Sequence, residues 1–215
     1  MKKLFLPLLI LSTSALYIFI IPDEPLLRNL LFKLIPMWLI MTYAYKRLQE
    51  NRSFTSRILL TGLLFCMFGD GLLHWFLIGL SAFLIGHIFY SIGFFKEWRF
   101  SLIRASSIIP ISFYAIFIGR ILAESLSEKG NNDLIIPVIL YTMIISAMAW
   151  AAVMTGNKWA IAGSLLFVIS DSILAWNRFV SDIPYSSILI MTTYYTAQFF
   201  IAHSLTFFQK RLERN

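Results

Sequence analysis

The stretch LLFVISDSILAWNRF (residues 165–179) is an apolar run interrupted by one acid, Asp171. A carboxylate held at the centre of a hydrocarbon layer costs about 2.5–3.5 kcal/mol on insertion scales. A helix carrying one there needs something nearby that offsets the cost. The search for that partner organises the reading of the rest of the chain.

Composition fixes the setting. Of 215 residues, 59% are hydrophobic and only 13% charged, and the mean hydropathy is +0.76. An ordinary soluble domain carries roughly 25% charge. Apolar runs of about 18 or more residues, each long enough to cross a bilayer, recur from end to end. They predict eight helical spans, at residues 4–21, 29–45, 58–75, 76–95, 102–122, 134–154, 159–176 and 185–208. The third and fourth adjoin and predict a tight helical hairpin. No connection has room for a soluble domain, so residues 1–215 read as a single integral membrane domain of the all-α class. The opening MKKLFLPLLILSTSALYIFIIPDEP imitates a signal peptide, but its apolar stretch runs past the STSA cluster to Ile21. It reads as an uncleaved first span.

Lys and Arg set the orientation. One side collects Lys2, Lys3, Lys46, Arg47, Arg52, Arg57, Lys96, Arg99, Arg104, Lys158, Lys210, Arg211 and Arg214. The other holds Arg28, Arg120, Lys129 and Arg178, with Lys33 inside a span. The richer side is expected to be cytoplasmic and to hold both termini, as an even number of spans requires. The net charge of +7 is then a topology signal and an attraction to the membrane surface. It does not mark a nucleic-acid partner, since there is no separate basic domain.

The third span contains LFCMFGDGLL and the seventh LLFVISDSIL; aligning Asp70 with Asp171 sets an offset of 101 residues. The second span contains LIPMWL and the sixth IIPVIL, and aligning Pro36 with Pro137 gives 101 again. The fourth and eighth spans match only across a gap, GHIF (86–89) against AQFF (197–200). This predicts a parallel duplication of four helices plus four. Inside a helix each proline would free a carbonyl one turn earlier, at Phe32 and at Asp133.

Depth places the polar residues together. Asp70 and Asp171 each lie twelve residues into their spans, about 18 Å at 1.5 Å per residue, just past the midplane. His87 falls near mid-depth in the fourth span, with Tyr90 one turn below. Tyr141, Tyr194, Tyr195, Gln198 and Lys33 occupy the middle or outer half of theirs. These groups are expected to surround a common polar pocket, which would answer the question Asp171 poses. Each also has a plainer reading: Lys33 snorkelling to the headgroups, His87 bonding a neighbouring helix, the tyrosines anchoring at the interface, Asp70 facing the outer interface. No metal site is expected, because His74, His87 and His203 lie at different depths and no HxxxH or HxxE pair occurs. The single cysteine, Cys66, excludes an intrachain disulfide or a thiolate cluster. No GxSxG nucleophile elbow is present either.

KLIPM (33–37), GD (69–70), GHIFY (86–90), PVILY (137–141), GSLLFVISDSILAWNRF (163–179) and TYYTAQ (193–198) together resemble the YhhN-like lysoplasmalogenase family of eight-span membrane proteins. Most of the chain is covered, in family order, and the long segment through Asp171 is the most specific piece. In one departure Leu34 follows Lys33, where a proline is frequent in the family. The resemblance implies hydrolysis of the vinyl-ether bond of lysoplasmalogen to a fatty aldehyde and glycerophospho-ethanolamine or -choline. Its implied partners are the lysophospholipid substrate and membrane lipids, with no cofactor.

That chemistry needs an acid to protonate the outer alkene carbon and a negative group beside the resulting oxocarbenium ion. Glycosidases place two carboxylates around a similar cation. Burial and a second carboxylate both favour the neutral form of one acid of a pair. Asp171, flanked by Ile169 and Ile173, is the expected acid. Asp70, nearer Lys33, is the expected anion, and the reverse assignment stays open. His87, Tyr194 and Gln198 are expected to orient water or the ether oxygen, with Tyr90 and Tyr141 lining the substrate site. Lys33 and Arg178 would hold the phosphate. A proton-coupled transporter of lipids or small molecules is the competing reading, since mid-membrane acids and parallel repeats suit it too. A bacterial cytoplasmic (inner) membrane is the expected location; oligomeric state and head-group preference stay open.

Overall fold

Hydrocarbon offers no partner to a backbone N–H or C=O, so a spanning chain must satisfy both internally. The computed structural model describes residues 2–22, 24–48 and 53–212, and within them the chain is helical with no strand. Arg52 and Arg214, counted above toward the cytoplasmic charge, lie outside the described residues, as do the side chains of Lys2, Lys3, Lys210 and Arg211. The helices are α1 (Lys2–Phe19), α2 (Leu26–Leu48), α3 (Phe54–Leu72), α4 (Phe76–Lys96), α5 (Leu102–Ala105), α6 (Ile108–Glu128), α7 (Ile135–Thr155), α8 (Lys158–Phe179) and α9 (Ser186–Leu212). A 3-10 turn, Asn132–Leu134, leads into α7. Eight of the helices are long, and they correspond to the eight expected spans.

Six stretches are long and apolar enough to cross a membrane by length and composition, and together they cover α2 to α8. The chain is an integral membrane protein on that ground. The first and last helices fall short of the criterion. The apolar part of α1 is Leu4–Phe19, slightly under the usual length, and α9 carries Thr192, Thr193, Thr196, Gln198, His203 and Ser204 along its course.

Two local details differ from the expectation. The fifth span starts at Leu102 and runs to Glu128, but not as one helix: α5 stops at Ala105 and α6 starts at Ile108. Ser106 and Ser107 turn their hydroxyls back onto the carbonyls of Ile103 and Arg104, at 2.9 and 2.6 Å. Pro110, with no N–H, could not continue the ladder from Ser106. The two prolines are also not equivalent. Pro36 sits in the interior of α2, whereas Pro137 is the third residue of α7. In a first turn the missing N–H has no partner to lose, so no carbonyl is freed at Asp133.

Helix contacts follow a pattern that repeats between the halves. α3 packs along α4 as α8 packs along α9; α1 lies on α2 as α6 lies on α7; α4 crosses α7 as α9 crosses α2. The closest approaches are at glycines. A Cβ on Gly62 would stand 2.5 Å from the Tyr90 ring and 3.0 Å from the Gly86 carbonyl oxygen. A Cβ on Gly163 would stand 2.9 Å from the Ala197 carbonyl oxygen and from Ile201 Cγ1. Gly62 and Gly163 are 101 residues apart, the register already set by the two aspartates. Their contacts, Gly86 and Ala197, are 111 apart, as are Tyr90 and Ile201. Small residues let backbones close to this distance, and dispersion across the seam holds the pair without a hydrophobic driving force.

Gly62→Val and Gly163→Val should each lower stability by about 1–3 kcal/mol through overpacking. Gly71→Ala, whose added Cβ meets nothing within 4 Å, should leave the thermal unfolding midpoint in detergent unchanged or slightly raised.

Candidate active site

Asp70 sits in the last turn of α3, two residues from the helix end, yet it is only 4% exposed. It does not face the outer interface. Lys33 of α2 reaches it, with Nζ 3.5 Å from Oδ1 and 3.4 Å from the Asp70 carbonyl oxygen. Tyr194 of α9 donates its hydroxyl to Oδ2 at 2.6 Å. Three helices therefore converge on one carboxylate. The same corner is tied again where Tyr195 donates to the Lys33 carbonyl at 2.8 Å, and the ring of the same Tyr195 meets Tyr17 of α1 at 6.1 Å. Lys33 is thus engaged with Asp70 rather than extended to the headgroups. A buried acid leaves it a nearer and less hydrated partner than a lipid phosphate.

Asp171 lies eight residues before the end of α8 and has a different surrounding. Tyr141 of α7 donates its hydroxyl to Oδ2, and no salt bridge reaches the acid among the described residues. Asp171 and Tyr141 line one wall of a mostly apolar cavity between α4, α6, α7 and α8, together with Phe83, Ile145 and Val168. Asp70 does not line that cavity.

The space between the two acids is filled by rings. His87 of α4 is fully buried, with its ring 5.3 Å from Tyr141 and 4.5 Å from Phe167. Phe167 in turn lies 5.4 Å from Tyr194. A continuous chain of edge-to-face ring contacts thus runs from Asp171 through Tyr141, His87, Phe167 and Tyr194 to Asp70. Tyr90 donates to Gln198 Oε1 at 2.7 Å, joining α4 to α9 just beneath it. Neither nitrogen of His87 has a hydrogen-bond partner in the protein, nor does Gln198 Nε2. Buried polar atoms are seldom left so, and neither side chain lines the cavity at Asp171.

The expected common pocket is therefore a packed polar layer with one cavity, at Asp171. Arg178 stands outside it. Its guanidinium lies over the Phe76 ring at 4.2 Å, and it is seven residues, about 10 Å along the helix, beyond Asp171. Ser172 and Tyr114, not singled out from sequence, share a hydrogen bond beside Asp171. The only hint was position: Ser172 follows the acid, and nothing in the α6 pattern marks Tyr114. Among the described residues no group of three His, Cys, Asp or Glu side chains is placed to hold a metal ion.

The bundle and its layer of buried acids and ring side chains define a polytopic helical membrane protein with ionisable groups in its interior. The YhhN family model matches residues 28–205, a range that contains every candidate residue above, and the chain belongs to the YhhN family. Among similar proteins, lysoplasmalogenase TMEM86B of Mus musculus is 29% identical over 195 residues, covering 88% of this chain and 80% of its own. Lysoplasmalogenase TMEM86B of Homo sapiens is 33% identical over 151 residues, 68% of this chain and 62% of its own. A lysoplasmalogenase of Mycobacterium bovis is 26% identical over 159 residues, 70% and 61% respectively. No solved structure matches the chain significantly.

Removing the cation alone should be the costly change at this site. Lys33→Met leaves Asp70 buried and uncompensated and should cost about 3–5 kcal/mol. Lys33→Met combined with Asp70→Asn should recover more than half of the loss in unfolding midpoint.

Proposed function

We propose that this chain is a membrane lysoplasmalogenase, cleaving the vinyl ether of lysoplasmalogen by acid–base catalysis with Asp171 and Asp70. The relatives' names supply the activity; the observation that carries the residue assignment is the unequal environment of two equivalent acids. Lys33 beside Asp70 favours a carboxylate there. Among the described residues no cation stands by Asp171, and it lines the cavity, so it is the group placed to give a proton to substrate.

The steps balance as follows. Asp171 transfers its proton to the outer alkene carbon, leaving an oxocarbenium ion that the negative charges of Asp70 and the newly ionised Asp171 stabilise. Water adds to the cationic carbon and gives its proton to Asp70, a step for which the rings that separate Asp70 from the cavity must move aside. The hemiacetal then collapses: its hydroxyl proton returns to Asp171, and the glycerol oxygen leaves with the proton from Asp70. The products are a fatty aldehyde and the glycerophospho-alcohol, and both acids regain their starting states. Such proton transfers typically contribute 10²–10⁴-fold. His87 and Gln198, with their unpartnered nitrogens, are suited to orient the water. Tyr141 and Tyr194 hold the two carboxylates in place, and Tyr90 fixes Gln198. Arg178, exposed at the end of α8, is suited to the lipid phosphate.

The repeating helix contacts and the paired glycines support a four-plus-four parallel duplication. Within it Asp70 corresponds to Asp171 and His87 to Gln198. We take all eight long helices to span one membrane domain, with both termini cytoplasmic, in a bacterial inner membrane.

Purified chain given lysoplasmalogen should release aldehyde without any ion gradient; vesicle uptake without product would point to a transporter instead. Asp171→Asn and Asp70→Asn should each cut turnover at least about 100-fold while leaving the protein folded and inserted. Near-normal aldehyde release from either variant would end the paired-acid assignment.

A further inference from the structure

Two cavities meet at one hydrogen bond. The first, beside Asp171, has a volume of about 50 Å³, room for a few water molecules and not for a lipid chain. The second, about 640 Å³, lies between α6 and the α7–α8 pair and is lined by Pro110, Ile111, Ala149, Val153, Leu165 and Ile169 among others. Tyr114, Val168 and Ser172 line both. The Tyr114 hydroxyl on α6 bonds the Ser172 oxygen on α8. Ser172 has one proton and donates it to the Val168 carbonyl, so Tyr114 is the donor, and the bond crosses the cleft from α6. Only 6% of the apolar window containing α6 is buried, the lowest share among the six candidate spans in the described residues.

We propose that the second cavity takes the unbranched hydrocarbon chain of the lyso-ether lipid, with the Tyr114–Ser172 bond as the partition that sets how the chain enters from the Asp171 side. This rests on the function proposed above and names the subsite that the reaction leaves open. The small chamber fits the reacting bond and water. The large cleft is apolar on all its principal walls, matches a hydrocarbon occupant, and is continuous with Asp171 through the residue next to it in sequence. From Tyr114 to Ser107 the cleft follows α6 for about 10 Å, so its far end limits chain length. The other end of the first cavity is closed by Phe76 and Phe179, whose rings meet at 5.3 Å. A chain therefore extends toward Ser107.

Two measurements on the full chain in nanodiscs test this. In the first, lysoplasmalogens of short, medium and long alkenyl chain are compared. Val153→Trp, at the far end of the second cavity, should lower kcat/KM for the longest chain at least tenfold and leave the shortest within twofold. Tyr114→Phe, which keeps the ring and removes the bond, should shift the long-to-short ratio the opposite way by threefold or more. Equal effects on all chain lengths would overturn the subsite. In the second, a saturated lyso-ether lipid carrying a diazirine at its chain end is photo-crosslinked and mapped by mass spectrometry. Crosslinks at Pro110, Ile111, Ala149 and Val153 support the assignment. Crosslinks confined to the α1–α9 groove around Leu11 and Thr196, or spread over the outer faces of the bundle, overturn it. If the unmodified chain hydrolyses none of the lipids, the proposed function fails, and the crosslinking alone still decides where the chain lies.

Discussion

Everything in this bundle accommodates the expense of holding carboxylates where water is scarce. At Asp70 the solution is to bring a cation and a phenol from two other helices onto one side chain, which also fixes how α2, α3 and α9 sit. A charge that must be compensated cannot be moved without moving its partners. Lys33 and Tyr194 therefore act as struts, and Tyr195 adds a second tie at the Lys33 carbonyl. Buried pairs of this kind seldom add net stability over an apolar core. Their retention here fits a site that needs a fixed negative charge.

The seam at Gly62 and Gly163 makes that convergence possible. Dispersion between close backbones holds α3 to α4 and α8 to α9, and in each pair it fixes the height of the neighbouring acid. His87 and Gln198 follow Gly86 and Ala197 directly, so each seam also carries a buried polar side chain with at least one unpartnered nitrogen into the interior. The positions matched by these offsets differ around the two acids. The residue at the position of Tyr194, counted with the 111-residue offset, is Phe83, which cannot donate. The residue at the position of Lys33, with the 101-residue offset, is Leu134. One acid keeps a cation and the other does not.

α6 is built on other terms. It touches α7 and α8 along part of its length and leaves most of its surface to lipid. The looseness leaves a cleft that a tightly packed helix would have filled, and a single side-chain bond from Tyr114 divides it. Beside a closely packed centre, this loosely applied outer helix leaves a cleft open toward the hydrocarbon phase.

The amino-acid pattern by itself determined that the chain is a helical membrane protein, where its long helices fall within a few residues, and which acids stand out. Hydrophobic length and the rarity of charge in apolar runs are local properties, readable without coordinates. The 101-residue register between Asp70 and Asp171 was equally legible. The break at Ser106–Ser107 and the placement of Pro137 in a first turn were decided by a few hydrogen bonds that hydropathy does not register. Only the tertiary structure decided that Lys33 serves Asp70, that Tyr141 and not a second lysine attends Asp171, and that the expected open pocket is a chain of packed rings with one small cavity. Those outcomes depend on which faces of eight similar apolar helices meet. Side chains of near-equal hydropathy leave that choice to packing at a few glycines and to the partners that buried polar atoms can reach.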